Sequence, residues 1–595
     1  MNAPEDTIPR WNLDKIYGGF HDPAYNEARE STASSIRLFG RASEEGPKEK
    51  ERAEEWLSRC LDLLNSLAAR LENLESYVLC RYTTATTDKE AVREMNRLEE
   101  LSTPLAAARA AFRESLGNLG KTAEELCSSP ALKDYLFFIT EELEFRKHQM
   151  ETSEEDLAAD LARSGANAWG RLQDTLGSTE SITWNEKTGE KKTVVQLRAL
   201  AYDPEREVRE KAYRKELEIW KRVEIPLSFA LNGVKGHSIV VNRRRGYTAT
   251  LQRSIKQNRV TEKTLDSLLQ VMHESLPVFR NYLKTKAHIL AVPRLAFFDL
   301  FAPVGESNAV WDFKGTRDFI LRQFYSFSKD YGSFGEKAFT EGWIDSEPRQ
   351  GKVGGAYCTS FSEPWESRIL SNFDHSFNSV TTLAHELGHA YHHHCLRGAA
   401  FLLRDYPMTL AETASIFSEN IVYGRLLADL QGKERLPVLE SFLQDSCQVI
   451  VDILSRFLFE KAVFEEREKG DLSPEDYCDL MIKAQKETYG DGLDPELLHP
   501  YMWAVKSHYY SHALAFYNFP YAFGLLFGLG LYGLYLETGA AFTDRYIAIL
   551  AGTGKASAVD LAAQAGFNIE EPDFWRRGLE VITRRAEEFQ AAARG

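Results

Sequence analysis

Apolar residues recur every three or four positions through most of this 595-residue chain, with charged residues between them. At about 100° of turn per residue, that spacing lays one apolar stripe along an α-helix. The pattern predicts helix over residues 45–80, EGPKEKERAEEWLSRCLDLLNSLAARLENLESYVLC, and again near 90–115, 135–163, 205–225 and 262–290. It also dominates 410–465 and 555–592. Two stretches break it. Near 180–197, SITWNEKTGEKKTVVQ reads as a hairpin turning at Thr188-Gly189. Near 340–373, GWIDSEPRQGKVGGAYCTSF and SRILSNF carry the β-branched, aromatic and Gly/Pro punctuation of short strands and turns. The expected fold is mainly α with a small β element, and no internal repeat or long low-complexity linker interrupts it.

One apolar stretch needs separate weighing. Ala513 to Leu536 is 24 residues without a formal charge, and Gly524 and Gly528 stand at GxxxG spacing. Its length would suit a membrane span. Asn518, Pro520 and several tyrosines interrupt it, and the flanks are not basic, so a buried core helix is the expectation.

Composition narrows the class. A chain this long exceeds one compact core, so several subdomains or one multi-lobed body are expected. A formal charge of −16 would repel a polyanion, which argues against a general nucleic-acid partner. The seven cysteines are scattered and form no CxxC pair, as suits reduced thiols in a cytoplasm. MNAPEDTIPRW has neither the basic nor the apolar region of a secretory signal. Arg243-Arg244-Arg245 reads as a solvated turn before a helix.

The chemistry concentrates at His385, Glu386 and His389, the HELGH of NSVTTLAHELGHAYHHH. Residues four apart lie one above the other on a helix, so both imidazoles can reach one Zn²⁺. The glutamate between them points beside the metal, where it can take a proton from the attacking water. This composition yields about 0.03 accidental HExxH matches in a chain of this length, so coincidence is a poor explanation. Two histidines and a carboxylate favour zinc over other divalent ions.

A hydrolytic zinc wants a third protein ligand and one open position. HExxHxxGxxH would demand Gly at 392 and His at 395, where the chain has His392 and Cys395. Downstream, MTLAETASIFSENIVYGRLL reads as a second helix with Glu412, Ser415 and Glu419 in one arc. After a turn near Arg397-Gly398 it would return against the first, making Glu412 the third ligand. Glu419 is placed to hydrogen-bond the outer nitrogen of a ligand histidine. His392 lies about 10 Å along the axis from His385, too far to share its site, so a role in packing or in supporting the ligands from behind is expected in place of ligation.

Donors for a developing oxyanion are also needed. WAVKSHYYSHALAFYNFPYAFG gathers His508, His512, Tyr509, Tyr510, Tyr517 and Tyr521, any of which is a candidate.

These blocks together are similar to the oligoendopeptidase F family, relatives of thimet oligopeptidase. The resemblance is carried by WNLDKIYGGFHDPAY (Trp11 to Tyr25), RALAYDPEREVREKAYRKE (Arg198 to Glu216), GKVGGAYC (Gly351 to Cys358), LAHELGHAYHH, PMTLAETASIFSE and the run from Trp503 to Gly524. It implies zinc on His385, His389 and Glu412, Glu386 as general base and acid, and His508, Tyr517 and Tyr521 as transition-state donors. Extra residues between His508 and Tyr517, and Pro520 between the tyrosines, depart from the family pattern and leave the donor tyrosine open. The implied fold is a two-lobed, mainly helical metallopeptidase with a deep internal cleft. An N-terminal helical lobe, residues 1–200, closes over a zinc-peptidase lobe, residues 201–595.

The expected activity is zinc-dependent cleavage of internal bonds in short unstructured peptides, without nucleic-acid or membrane partners and with the oligomeric state open. Gly354, Gly355, Ala356 and Tyr357, with Ile369-Leu370, are expected to present an open strand edge to the substrate. A metal-containing peptide binder without turnover is the alternative, and the intact Glu386 speaks against it. A membrane-embedded protease using residues 513–536 is another.

Overall fold

The computed structural model describes residues 7–47, 53–305 and 310–594. Residues 48–52 of the expected 45–80 helix, and the first six residues of the stretch read for a signal, therefore lie outside the described residues. Helix makes up 72% of the described residues, which hold only two small sheets, so the fold is mainly α. By contacts the chain divides into two compact units, each assembled from three separated segments. One comprises Met1–Gln149, Ala309–Arg425 and Leu531–Phe567; the other comprises Met150–Asn308, Leu426–Gly530 and Asn568–Gly595.

In the first unit, helices Pro23–Glu45, Ala53–Thr84 and Lys89–Asn118 pack on one another. The first of these escaped the periodicity reading, yet its start is well marked. Asp22 accepts a hydrogen bond from the Ala24 amide and Pro23 occupies the first turn, a pairing that stabilises a helix start by about 1 kcal/mol. Phe39, Leu57, Cys60 and Phe112 form the shared core, with Trp56 stacked on Phe112 at 5.6 Å. The N-terminal block folds over a second cluster, where Tyr17, Phe20 and Tyr25 meet Tyr77 in edge-on and tilted contacts.

The same unit carries the three-stranded sheet of β3 (Ile344–Asp345), β4 (Tyr357–Phe361) and β5 (Glu366–Leu370), ordered β3-β5-β4. β5 is buried at every position and pairs on both sides, parallel to β3 and antiparallel to β4. The expected open edge at Ile369-Leu370 is thus wrong: both residues already face a strand on each side. β4 lies at the edge, with Tyr357 in it; Gly354, Gly355 and Ala356 precede it as a turn, Gly355 at φ +80°.

The second unit is built around the 39-residue helix Arg206–Arg244 and the helix Glu262–Ile289. The expected hairpin is here, with β1 (Ser181–Asn185) antiparallel to β2 (Glu190–Thr193) and Gly189 at φ +72°. Arg243 and Arg244 close the long helix instead of forming a turn before the next one. Arg244 and Arg245 pair with Glu154 and Glu155 at 3.1 and 2.6 Å.

The apolar stretch becomes the helix Phe519–Thr538. By length and composition it could cross a membrane, with a window of mean hydropathy 1.4, but 83% of that window is buried inside the protein. A close approach of this helix uses Gly530. A Cβ on Gly578 of helix Pro572–Arg594 would lie 2.6 Å from the Leu526 carbonyl oxygen and 3.3 Å from the Gly530 nitrogen, so helix backbones meet there.

Candidate metal and catalytic site

The helix Phe377–Cys395 carries HELGH. Ser376 caps it by accepting from the Ser379 amide, and Val380, Leu383, Ala384, Leu387 and Tyr391 bury one face at three- and four-residue spacing. After Cys395 the chain turns away, with Gly398 at φ +86°. The partner element begins with the short turn Met408–Ala411 and continues as helix Thr413–Asp429. Glu412 stands at the break between them, its carbonyl accepting from the Ile416 amide at 3.1 Å.

Gly388 brings the two elements together. A Cβ there would lie 2.6 Å from the Ala414 carbonyl oxygen, the Ser415 Cα and the Ser418 Oγ. Only glycine permits this crossing, and the crossing sets Glu412 beside both histidines. Tyr331 fixes it from outside, stacking on Tyr391 at 3.9 Å and hydrogen-bonding Ser418.

Glu412 Oε2 lies 3.2 Å from His385 Nε2 and 3.5 Å from His389 Nε2, and one donor atom from each residue falls within 4.8 Å of the others. Tetrahedral zinc at bonds of about 2.0–2.1 Å needs donor separations of roughly 3.3 Å, so the set fits the ion. Glu419 Oε2 is 3.4 Å from His385 Nδ1, the nitrogen turned from Glu412. Burial would lower His385, but Glu412 and Glu419 outweigh it and hold the ring well above its ordinary value. Carboxylates that hold a proton on an imidazole also favour a divalent cation in its place. Burial opposes ionisation of Glu412, yet His385, His389 and the Ser415 hydroxyl bring it down to about 2. His389, buried beside His385, is lowered to about 4.

Glu386 is not part of this donor group and is 6% exposed. Burial pushes its carboxyl up to about 7, with His385 opposing and Glu412 and Glu419 adding. The three following histidines each pack separately. His392 stacks on Tyr406 at 4.2 Å and meets Thr553 Oγ1 at 2.9 Å; His393 stacks on Trp365 at 4.4 Å; His394 lies against Tyr391.

His508, Tyr517 and Tyr521 fall in the other unit and cluster there. The two tyrosine hydroxyls share a hydrogen bond of 2.6 Å. Asn518 Oδ1 accepts from Arg456 at 3.3 Å, which orients its amide nitrogen toward His508 Nε2 at 2.8 Å. His508 Nε2 therefore accepts, leaving the ring proton on Nδ1. Burial, with Arg456, Lys235 and Lys506 nearby, pushes His508 down to about 2, so it is neutral. His512 is occupied elsewhere, 3.0 Å from Asn167 Oδ1 and edge-on to His237.

The sequence profile of peptidase family M3 matches residues 199–581, and that of oligopeptidase F matches 120–179. The chain belongs to peptidase family M3. Two oligoendopeptidase F relatives from Lactococcus lactis illustrate the kinship. A homologue from subspecies lactis is 28% identical over 58% of this chain and 57% of its own length. The chromosomal protein of subspecies cremoris is 29% identical over 65% of this chain and 64% of its own. The chain thus spans less than two thirds of the length of these relatives. The solved oligoendopeptidase-F of Enterococcus faecium has the same fold, with a TM-score of 0.70 at 18% identity over 96% of this chain and 99% of its own.

Within this family member, several positioning residues escaped the sequence reading. The sequence puts Ser415 on one arc with Glu412 and no more; its hydroxyl donates to Glu412 Oε2 at 2.7 Å. Gly388 was visible in HELGH, but nothing local says that a second helix crosses it. Arg456 orients Asn518 from 62 residues away and left no local signal.

Proposed function

We propose that this chain is a zinc metalloendopeptidase that cleaves internal bonds of short, unstructured peptides in the cytoplasm. The observation that carries the reading is the convergence of His385, His389 and Glu412, with the buried Glu386 next to His385 in the chain and outside that group. A metal-binding module needs the first three and has no use for the fourth.

His385, His389 and Glu412 would hold the zinc, with Glu419 fixing the His385 ring through Nδ1. When bound, the ion would polarise the scissile carbonyl and make water acidic near neutral pH. Glu386, raised toward neutrality by burial, accepts the proton of the attacking water and passes it to the leaving amine. Tyr517 and Tyr521 are the favoured oxyanion donors, since a phenol hydroxyl can donate a hydrogen bond and the two already form one paired unit. His508 can donate only through Nδ1, because Asn518 occupies Nε2. Tyr357 on the β4 edge, with the Gly354-Gly355-Ala356 turn before it, would receive the substrate as an added strand with little demand on its sequence. The seven cysteines are all free, in keeping with a reducing compartment.

The test uses an internally quenched nonapeptide, a folded protein substrate and the Glu386→Gln variant. Wild type should cut the peptide at an internal bond and spare the folded protein. Glu386→Gln should keep one equivalent of zinc and lose about 10²–10⁴ in turnover. An inert wild type with zinc bound, or equal cleavage of both substrates, would overturn the reading.

A further inference from the structure

The second unit encloses a cavity of about 360 Å³ that includes no residue of the His-His-Glu group and none of His508, Tyr517 or Tyr521. Its volume is in the range of small-molecule pockets, about 300–1,000 Å³. Leu197, Phe297, Phe301, Tyr489 and Met502 make the walls mostly apolar. Three arginines, Arg198, Arg209 and Arg456, with Lys506 and His499, line it against two carboxylates, Glu216 and Asp452.

Following each charge to its partner leaves one over. Glu216 receives Arg198 at 2.8 Å and the Trp220 indole at 3.1 Å, and His499 Nε2 lies 3.4 Å from it. Asp452 is paired with Arg456. Arg209 is spent on Asp299 at 2.9 Å and on the Asp203 and Pro204 carbonyls at 2.7 and 2.9 Å. The Lys506 ammonium lines the same space, and among the described residues no hydrogen bond or ion pair reaches it. Burial, with Arg456 and Arg198 adding, pushes it down to about 7 against the pull of Asp452 and Glu216. An ammonium held in apolar surroundings without a partner is costly, and an anion relieves that cost.

We propose that this cavity is a second ligand site, for a small apolar monocarboxylate that carries no neighbouring ammonium, with Lys506 receiving the carboxylate. One free cation sets one negative charge. Both wall carboxylates already answer to cations, so neither is left for the ammonium of a free amino acid. N-acylated amino acids and other apolar monocarboxylic acids meet both conditions.

Titration calorimetry on the full-length, zinc-loaded protein would compare N-acetyl-L-phenylalanine, N-acetyl-L-phenylalaninamide and L-phenylalanine. The acid should bind at one site, with the amide and the free amino acid each at least tenfold weaker. Lys506→Met should weaken the acid at least tenfold. Val195→Trp, at a wall position that is 66% exposed and so tolerant of change, should weaken it too and decides the matter if the lysine variant does not fold. The site is refuted if the acid does not bind or if the amide binds as well as the acid. Unchanged affinity in Lys506→Met would also refute it, because the carboxylate would then be held elsewhere, as on the zinc.

Discussion

Gly388→Ala is the sharpest test of how the metal group is assembled. The added methyl would sit 2.6 Å from three atoms of the facing helix, two of them backbone, whereas ordinary contacts are about 3.5–4.0 Å. Backbone cannot rotate aside, so the crossing must open by about 1 Å. Overpacking of this kind costs typically 1–3 kcal/mol, and the backbone clash puts this variant at the upper end, near 3 kcal/mol. Glu412 opens that facing helix, immediately before Thr413, and should move with it. Its present separations of 3.2 and 3.5 Å from the histidine nitrogens leave little room for such a shift, since metal sites tolerate about 0.2 Å. Metal affinity should fall by at least 100-fold, or about 2.7 kcal/mol. Dialysis against graded chelator followed by elemental analysis reads the affinity, and a circular-dichroism melt reads the fold. Gly470→Ala is the control, since a methyl there meets nothing within 4 Å. Unchanged zinc retention and melting in Gly388→Ala would refute the reasoning.

Three further outcomes are expected. Glu419→Ala should lower zinc affinity about 10–100-fold through the freed His385 ring, measured by the same chelator competition, and wild-type retention would dismiss the contact. Tyr517→Phe and Tyr521→Phe should separate the donor from its neighbour: one should lose about 10²–10³ in kcat with KM nearly unchanged, and two silent variants would remove both. Glu216 is opposed by burial yet held well below its ordinary value by Arg198 and His499, with Trp220 also bonded to it. Its stabilisation should therefore be complete above the ordinary carboxylate value of about 4.5 and fade as pH falls below it. Glu216→Gln should melt lower than wild type at neutral pH, with the gap narrowing progressively below about pH 4.5. A constant gap would contradict the pairing.

The helices that the periodicity revealed are those whose buried faces are large and apolar, such as Glu262–Ile289 with Leu265, Leu268, Val271 and Phe279. Pro23–Glu45 was silent because its buried face is Tyr25, Thr32, Ile36, Phe39, Ala42 and Ser43, where small and polar side chains blur the stripe. Phe313–Phe327 buries residues 313, 316, 319, 320, 323, 324 and 327, a regular pattern that was there to be read. Near 340–373 the presence of strands was legible and their order was not. An apolar run such as Ile369-Leu370 reads alike at a sheet's centre and at its edge, and pairing partners alone distinguish the two.

For the site, legibility followed the range of the interaction. His385 and His389 are set by one helix turn, and the arc of Glu412, Ser415 and Glu419 by two more, so local periodicity captures each half. The joining of the halves depends on Gly388, a residue with no chemistry of its own, and on Tyr331 and Ser418 outside the motif. The consecutive histidines 392, 393 and 394 make the complementary case. By residue type they look as metal-like as the HELGH pair, yet the 100° step per residue sends them to three different neighbours, Tyr406, Trp365 and Tyr391. What separates the pair from the run is a carboxylate across a crossing too tight for any side chain larger than hydrogen.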